Sequence, residues 1–314
     1  MNKKKVAANF ILLFTAFIWG TGFVAQRVGM EYIGPLTFIA IRFFLATIML
    51  LCVIWLSKMK AKITGNPSKL LDTEEKKAVS QKDRRIFIVA GFSCGGILFC
   101  GAYMQQLGLV FTTAAKASFI TALYIIIVPL LGLFLKHHIG IKCWIGVASG
   151  SVGLYLLCIT EAFTMAKGDF IVVIGAFFWA CHVLVIDLFL PMIDGVKLAA
   201  FQFAVCSAIA GIAMIIFETP LLDAILACAF PIAYAGIVCA GIGFTLQIIG
   251  QKYTSPTVAS LLMSTEAVFG AVAGFIILNE KMTNRELTGC AFMLAAIVLS
   301  QLPEKQKEVL YENL

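Results

Sequence analysis

The chain has 314 residues, 61% of them hydrophobic and 13% charged, with a mean hydropathy of +0.97 and a formal net charge of +7. Soluble domains run near a quarter charged. This composition therefore excludes a soluble protein and identifies an all-α membrane protein.

A helix crosses roughly 30 Å of hydrocarbon with about 20 apolar residues. Windows of that length predict ten spans: 6–27, 34–56, 86–108, 112–135, 141–160, 169–190, 196–217, 226–250, 256–278 and 286–302. The apolar run after Lys3, Lys4 and Lys5 is too long for a signal peptide, and Val24-Ala25-Gln26 offers no convincing cleavage site, so it is kept as span 1. Span 2 carries Arg42 about 12 Å from its outer end near Gly34, at ~1.5 Å per residue. At that depth an arginine costs at least about 2.5 kcal/mol unless it faces protein or water, so it is expected to point inward. Ser57 to Arg85, between spans 2 and 3, is a lysine-rich cytoplasmic loop rather than a nucleic-acid arm. Span 4 begins with Lys116, which is near enough to its end to snorkel, and holds Pro129 in mid-span, either a kink or merely tolerated.

Glycines four apart, Gly91/Gly95, Gly146/Gly150 and Gly270/Gly274, mark close helix approaches. Ten cysteines are scattered singly through the apolar runs and read as small hydrophobes, not as disulfides or metal ligands. Lysine and arginine clusters at 3–5, 57–85 and 136–142 fall on one side, which predicts cytoplasmic termini in a multi-pass cell-membrane protein. In the second half Lys197 and Lys252 agree, whereas Lys281 and Arg285 fall outside, so the orientation rests on the first half.

The sequence also repeats itself. Phe17-Ile18-Trp19 matches Phe177-Phe178-Trp179 at an offset of 160, and in the same register Arg42-Phe43 falls on Gln202-Phe203. After the basic loop the offset is 142, pairing Gly101, Gln105, Gly108, Thr112, Ala117 and Ser118 with Gly243, Gln247, Gly250, Thr254, Ala259 and Ser260. Loops vary where spans do not, so the loop absorbs the difference. Each half has an odd number of spans, so the second enters the membrane from the opposite side. The expected fold is ten transmembrane helices as two inverted five-helix repeats, residues 1–160 and 161–303, with a cytoplasmic tail at 304–314. Many secondary transporters are built this way, with the substrate site near the midplane where the halves meet.

The stretches Phe17 to Phe23, Ile41-Arg42-Phe43, Phe119 to Tyr124 leading to Pro129, and Glu266-Ala267-Val268-Phe269 leading to Asn279-Glu280-Lys281 resemble the EamA-type transporters of the drug/metabolite transporter superfamily. The resemblance covers nearly the whole chain. It implies two five-helix EamA repeats and movement of small metabolites, often export of amino acids or their relatives. That family tends to have a Gly-Glu pair after the fourth helix of a repeat. Here Asn279-Glu280 stands in the second half and His137-His138 in the first, so Glu280 is expected to be a structural helix-end residue without a transport role.

Polar residues within the spans supply the candidate substrate site. For Arg42 the alternatives are a brace that caps carbonyls of a neighbouring span and a fork of donors for a substrate carboxylate. Glu266 in span 9 is costly if ionised, and reads either as a proton-coupling or amine-binding carboxyl or as a structural hydrogen-bonding acid. Its repeat mate is Tyr124. His182 shares a face with Trp179 and is either a satisfied polar contact or a cavity residue. Trp19 and Trp179 lie too deep for interfacial belts and suit aromatic walls between the repeats. Gln105 and Gln247, and Gln202 as the mate of Arg42, complete the set. No catalytic residue, cofactor or metal site is expected. The partners are a small-molecule substrate, the lipid bilayer and protons as a candidate coupling ion, with no nucleic acid.

Two rival functions are weaker. A membrane-embedded enzyme needs a convergent catalytic set, yet the chain has no Gly-x-x-x-x-Gly-Lys-Ser/Thr and no His-Glu-x-x-His, and His182 and Asp187 stand about 140° apart round their helix. A lipid scramblase or non-catalytic scaffold predicts a polar stripe open to lipid, whereas these polar residues match across an internal repeat. Without an ATP-binding motif, transport is expected to be gradient-driven or facilitated.

Overall fold

Backbone amides have no water to bond in hydrocarbon, so apolar runs of this length fold as helices. The structure, a computed structural model, describes residues 3–64, 81–134, 141–158, 165–254, 259 and 262–301. In the first half α1 is Lys3–Gly29, α2 Pro35–Thr64, α3 Gln81–Gly108, α4 Ala114–Thr121, α5 Tyr124–Phe134 and α6 Ile141–Cys158. In the second, α7 is Lys167–Phe189, α8 Gly195–Phe217, α9 Leu222–Ala227 and α10 Ala229–Ala233. A π-helical segment, Tyr234–Phe244, then leads into α11 (Thr245–Gln251), followed by α12 (Glu266–Leu278) and α13 (Asn284–Gln301). Among the described residues seven helical stretches are long and apolar enough to cross a membrane, and Trp144–Leu157 and Glu266–Leu278 are shorter apolar helices. The tail at 304–314 and the His137–His138 turn lie outside the described residues.

Several expectations change. The basic loop is shorter than 57–85, because α2 runs on to Thr64 and α3 starts at Gln81; exposed Lys58 and Lys60 continue the helix beyond the apolar window. Pro129 does not interrupt span 4, because α5 runs through it. The span breaks earlier, at Ala122–Leu123, where the Leu123 amide reaches back three residues to the Ile120 carbonyl (3.1 Å). Span 9 breaks at Ser264–Thr265, where the Thr265 hydroxyl takes the Leu262 carbonyl (2.7 Å). The two breaks are 142 residues apart, the offset of the repeat. Span 8 widens into the π-helical segment instead of running as one α-helix.

Helix α2 packs on α8, α4 on α12, and α6 on α13. Helix α3 packs on α7 and α8, while α1 packs on α12, on α11 and on the π-helical segment. Small residues permit the close approaches: a side chain at Gly91 would run into the Phe201 ring, and one at Gly95 into Val205.

At the end where α1 finishes and α2 begins, polar clasps join the two halves. Helix α2 has Gly34 before its first turn, where no side chain is available to cap it. The Glu218 carboxylate supplies the cap, accepting from Leu36 N (2.9 Å), Thr37 N (2.8 Å) and the Thr37 hydroxyl (2.6 Å). Any Cβ at Gly34 would collide with that carboxylate. Glu280 does the same for α4, accepting from Ala114 N (2.9 Å) and Ala115 N (3.0 Å). Asn279 adopts a left-handed conformation (φ 53°) that ends α12 and turns Glu280 back toward α4. Glu280 is thus a helix-end residue, as expected. The Thr112 hydroxyl donates to Asp169 (2.5 Å) at the same end. Lys116 does not merely snorkel: its ammonium lies 2.7 Å from Glu286.

A charged group on a helix N-terminus contributes about 1–2 kcal/mol. Glu280→Ala is therefore expected to lower the stability of the purified protein by that amount in thermal unfolding. Removing exposed Glu31 from its 3.7 Å pair with Arg27 should change it by less than about 0.5 kcal/mol.

Candidate functional site

The helices enclose a cavity of about 620 Å³, mouth included. Helix α1 contributes Trp19, Phe23 and Gln26 to its lining, α2 Arg42 and Phe43, and α3 Gln105. Thr121 and Tyr124 come from the break between α4 and α5. Helix α7 adds Trp179, His182 and Val183, and the π-helical segment adds Ala235, Cys239, Ala240 and Phe244. Gln247 of α11, with Met263 and Glu266 at the second break, closes the set. Eight of the nine residues expected from sequence therefore meet round one space. The ninth, Gln202, stands behind the wall, with its carbonyl oxygen 3.0 Å from His182 Nε2.

Arg42 is 5% exposed, so its guanidinium has left bulk water. It lies 4.8 Å from the Phe43 ring and 5.7 Å from the Phe38 ring, and its Nε has no hydrogen-bond partner. No ion pair joins it to Glu266. Glu266 opens α12 and Tyr124 opens α5, so the break in each span delivers one polar tip to the cavity. The Tyr124 hydroxyl is buried beside the Glu266 carboxyl without a hydrogen bond of full geometry. The Thr121 hydroxyl and the Gln247 carbonyl oxygen are likewise buried and unpartnered.

Aromatic rings form the walls. Phe244 sits centrally, 4.8 Å from Trp19, 6.0 Å from Trp179 and 6.0 Å from His182. Trp179 Nε1 donates to Gln105 Oε1 (2.8 Å), and Gln105 Nε2 donates to Gln26 Oε1 (3.0 Å). Trp19 Nε1 donates to the Cys239 carbonyl (3.0 Å).

Gln26, Thr121, Cys239 and Phe244 were not expected here. Trp19, Phe23 and Gln26 are spaced four and three apart on α1, so the helical face was a usable signal for Gln26. Cys239 and Phe244 gave none, because π winding changes which residues share a face. Among the described residues the cavity offers one cation, one carboxyl, several amides and aromatic faces. Among the described residues no group of three or more His, Cys, Asp and Glu is placed to hold a metal ion.

Known proteins agree with this architecture. The model of the EamA-like transporter family matches residues 6–159 and 166–302. An uncharacterized transporter of Archaeoglobus fulgidus is 26% identical over 95% of this chain and 87% of its own length. The uncharacterized transporter YoaV of Bacillus subtilis is 20% identical over 95% of this chain and 98% of its own. One solved crystal structure shares the fold, with a TM-score of 0.66 at 17% identity, covering 95% of this chain and 97% of that one. The chain is a multi-pass membrane protein that belongs to the EamA-like transporter family.

Proposed function

We propose that the protein is a secondary active or facilitative transporter that exports amino acids or related small polar metabolites across the cell membrane by alternating access, with both termini cytoplasmic. The observation that carries this reading is Arg42: a buried guanidinium on a cavity wall, held 4.8 Å from the Phe43 ring and joined to no carboxylate among the described residues. Such a charge is stabilised when an anionic group enters, and its planar fork suits a carboxylate. Across the cavity Glu266 serves a substrate amine or a coupling proton. Tyr124, the His182–Gln202 pair, Gln105, Gln247 and the two tryptophans shape the space between them.

Ten spans in two inverted repeats, meeting between residues 160 and 161, are part of the proposal. The packing supports it, because exchanging the halves maps most of the major contacts among the described residues onto one another. Helices α2 with α8 and α6 with α13 are mates in contact, and α4 with α12 joins the two mate spans 4 and 9. The α3–α7 contact has its counterpart in α1 against the π-helical segment and α11. The α1–α12 contact corresponds to α5 against α7, and α3–α8 to the π-helical segment against α2. Cavity residues also come as mates: Trp19 with Trp179, Phe23 with Val183, Gln105 with Gln247, Thr121 with Met263, and Tyr124 with Glu266. Five spans per half make such a relation inverted, which is the construction that lets one site face either side in turn.

If Glu266 carries the coupling proton, Glu266→Gln replaces a titrating group with one of the same shape that cannot titrate. Acceleration of transport by a pH gradient in proteoliposomes should then be lost while substrate exchange persists. A mutant that retains the full response assigns the proton elsewhere.

Arg42→Lys keeps the charge but loses the two-pronged geometry. It should weaken apparent affinity for carboxylate substrates by about 1.5–3 kcal/mol, the scale of a charged hydrogen bond, and affect esterified or amidated analogues far less. Equal losses for charged and neutral analogues on folded protein would make Arg42 a brace between helices.

A further inference from the structure

The two halves treat equivalent residues differently. Trp179 lies over Gly101, where an added Cβ would stand 3.3 Å from the indole, and it donates to Gln105 one turn further along α3. Its mate Trp19 lies over Gly243, the mate of Gly101, where an added Cβ would stand 2.5 Å from Nε1. Gln247, the mate of Gln105, is again one turn further along. Each element of a second tryptophan–glutamine bond is therefore present, but that bond is not made. Trp19 Nε1 instead takes the Cys239 carbonyl, and Gln247 Oε1 is buried with no partner. The difference coincides with the winding of the helix beneath: α3 is a regular α-helix across 92–102, whereas the equivalent stretch Tyr234–Phe244 is π-helical. A π segment stores a local alternative winding within a helix and frequently marks a functional position.

We infer that these four residues form a reciprocal latch between the two access states, with Gln105 and Gln247 as positioning residues that exchange roles. This rests on the inverted-repeat transporter reading above, in which the opposite-facing state is reached when each half adopts the conformation of the other. In the present state the Trp179–Gln105 bond is closed and the Trp19–Gln247 bond is open. In the opposite state Trp19 leaves the Cys239 carbonyl for Gln247, residues 234–244 wind as an α-helix, and residues 92–102 loosen as Gln105 releases Trp179. The unpartnered Gln247 oxygen is the half of the latch that is waiting.

The test is a sign pattern in hydrogen–deuterium exchange of the full chain in lipid nanodiscs. Gln105→Leu weakens the present state, so exchange should slow across 234–244 and quicken across 92–102. Gln247→Leu weakens the opposite state and should do the reverse. Shifts of about three- to tenfold are expected, the range one buried neutral hydrogen bond carries. Shifts of the same sign in both variants, or none, overturn the latch. If either leucine variant fails to fold, Trp179→Phe replaces the first and Gln247→Met the second, with the same signs required.

A separate arm tests the reading beneath the latch, using a chain in which Cys239 is the single thiol and a membrane-impermeant methanethiosulfonate is applied from each side of vesicles. Labelling from both sides upholds alternating access whatever the exchange signs say. Labelling from one side alone overturns alternating access and the latch with it.

Discussion

A guanidinium taken out of water into a membrane interior carries a desolvation cost that its surroundings must offset. Around Arg42 the offset is partial: two phenylalanine rings lie against it, and among the described residues no carboxylate does. The remaining requirement is a polar space, so α2 must face the cavity and its neighbours must leave room. The π-helical segment crosses directly behind it. A Cβ at Gly236 would stand 2.7 Å from the Arg42 carbonyl oxygen, so glycine is what lets that segment close the wall. In the other half the equivalent pair is His182 with Gln202, hydrogen-bonded across α7 and α8. Position 22, the mate of His182, is glycine. Arg42 therefore lacks the side-chain partner that its mate has, and Cys239 Sγ stands where a Cβ at position 22 would go.

The same economy of polar groups governs the backbone. A break in a helix at membrane depth is tolerated where it is buried in protein or lines a polar cavity. The breaks at Ala122–Leu123 and Ser264–Thr265 open onto the cavity, and each starts a new helix with a polar residue, Tyr124 in one half and Glu266 in the other. A helix N-terminus favours negative charge. The backbone that presents Glu266 therefore also helps to hold a carboxylate in place.

Arg42, Glu266, the tryptophans and the glutamines could be read from sequence because each contradicts its apolar setting, and because a constant offset placed each beside a mate. The caps could not. Glu218 meets Thr37 across 181 residues, and nothing local to either distinguishes that pairing from an exposed loop glutamate. Pro129 did not mark the break: α5 runs through it, and the chain breaks where short-range bonds at Ile120–Leu123 and Leu262–Thr265 end one helix and start the next. The π-helical segment was invisible for a related reason. Its residues are uniformly apolar, so periodicity carries no information about how tightly they wind.

Near-symmetry between halves would make the two ends of such a transporter equivalent, and the clasps show that they are not. Glu218 and Glu280 both come from the second half, and each holds the N-terminus of a helix of the first. At the repeat offsets their mates are Lys58 and His138, basic residues that cannot serve a helix N-terminus as a carboxylate does. Opening the clasped end therefore takes a carboxylate from two helix N-termini, leaving α2 without a side-chain cap and α4 with only the Thr113 hydroxyl, which accepts from Lys116 N (3.1 Å). On the proposed alternating cycle, the repeat makes two access states possible, and the departures from it, two glutamates and one unpaired arginine, set which of them the empty protein favours.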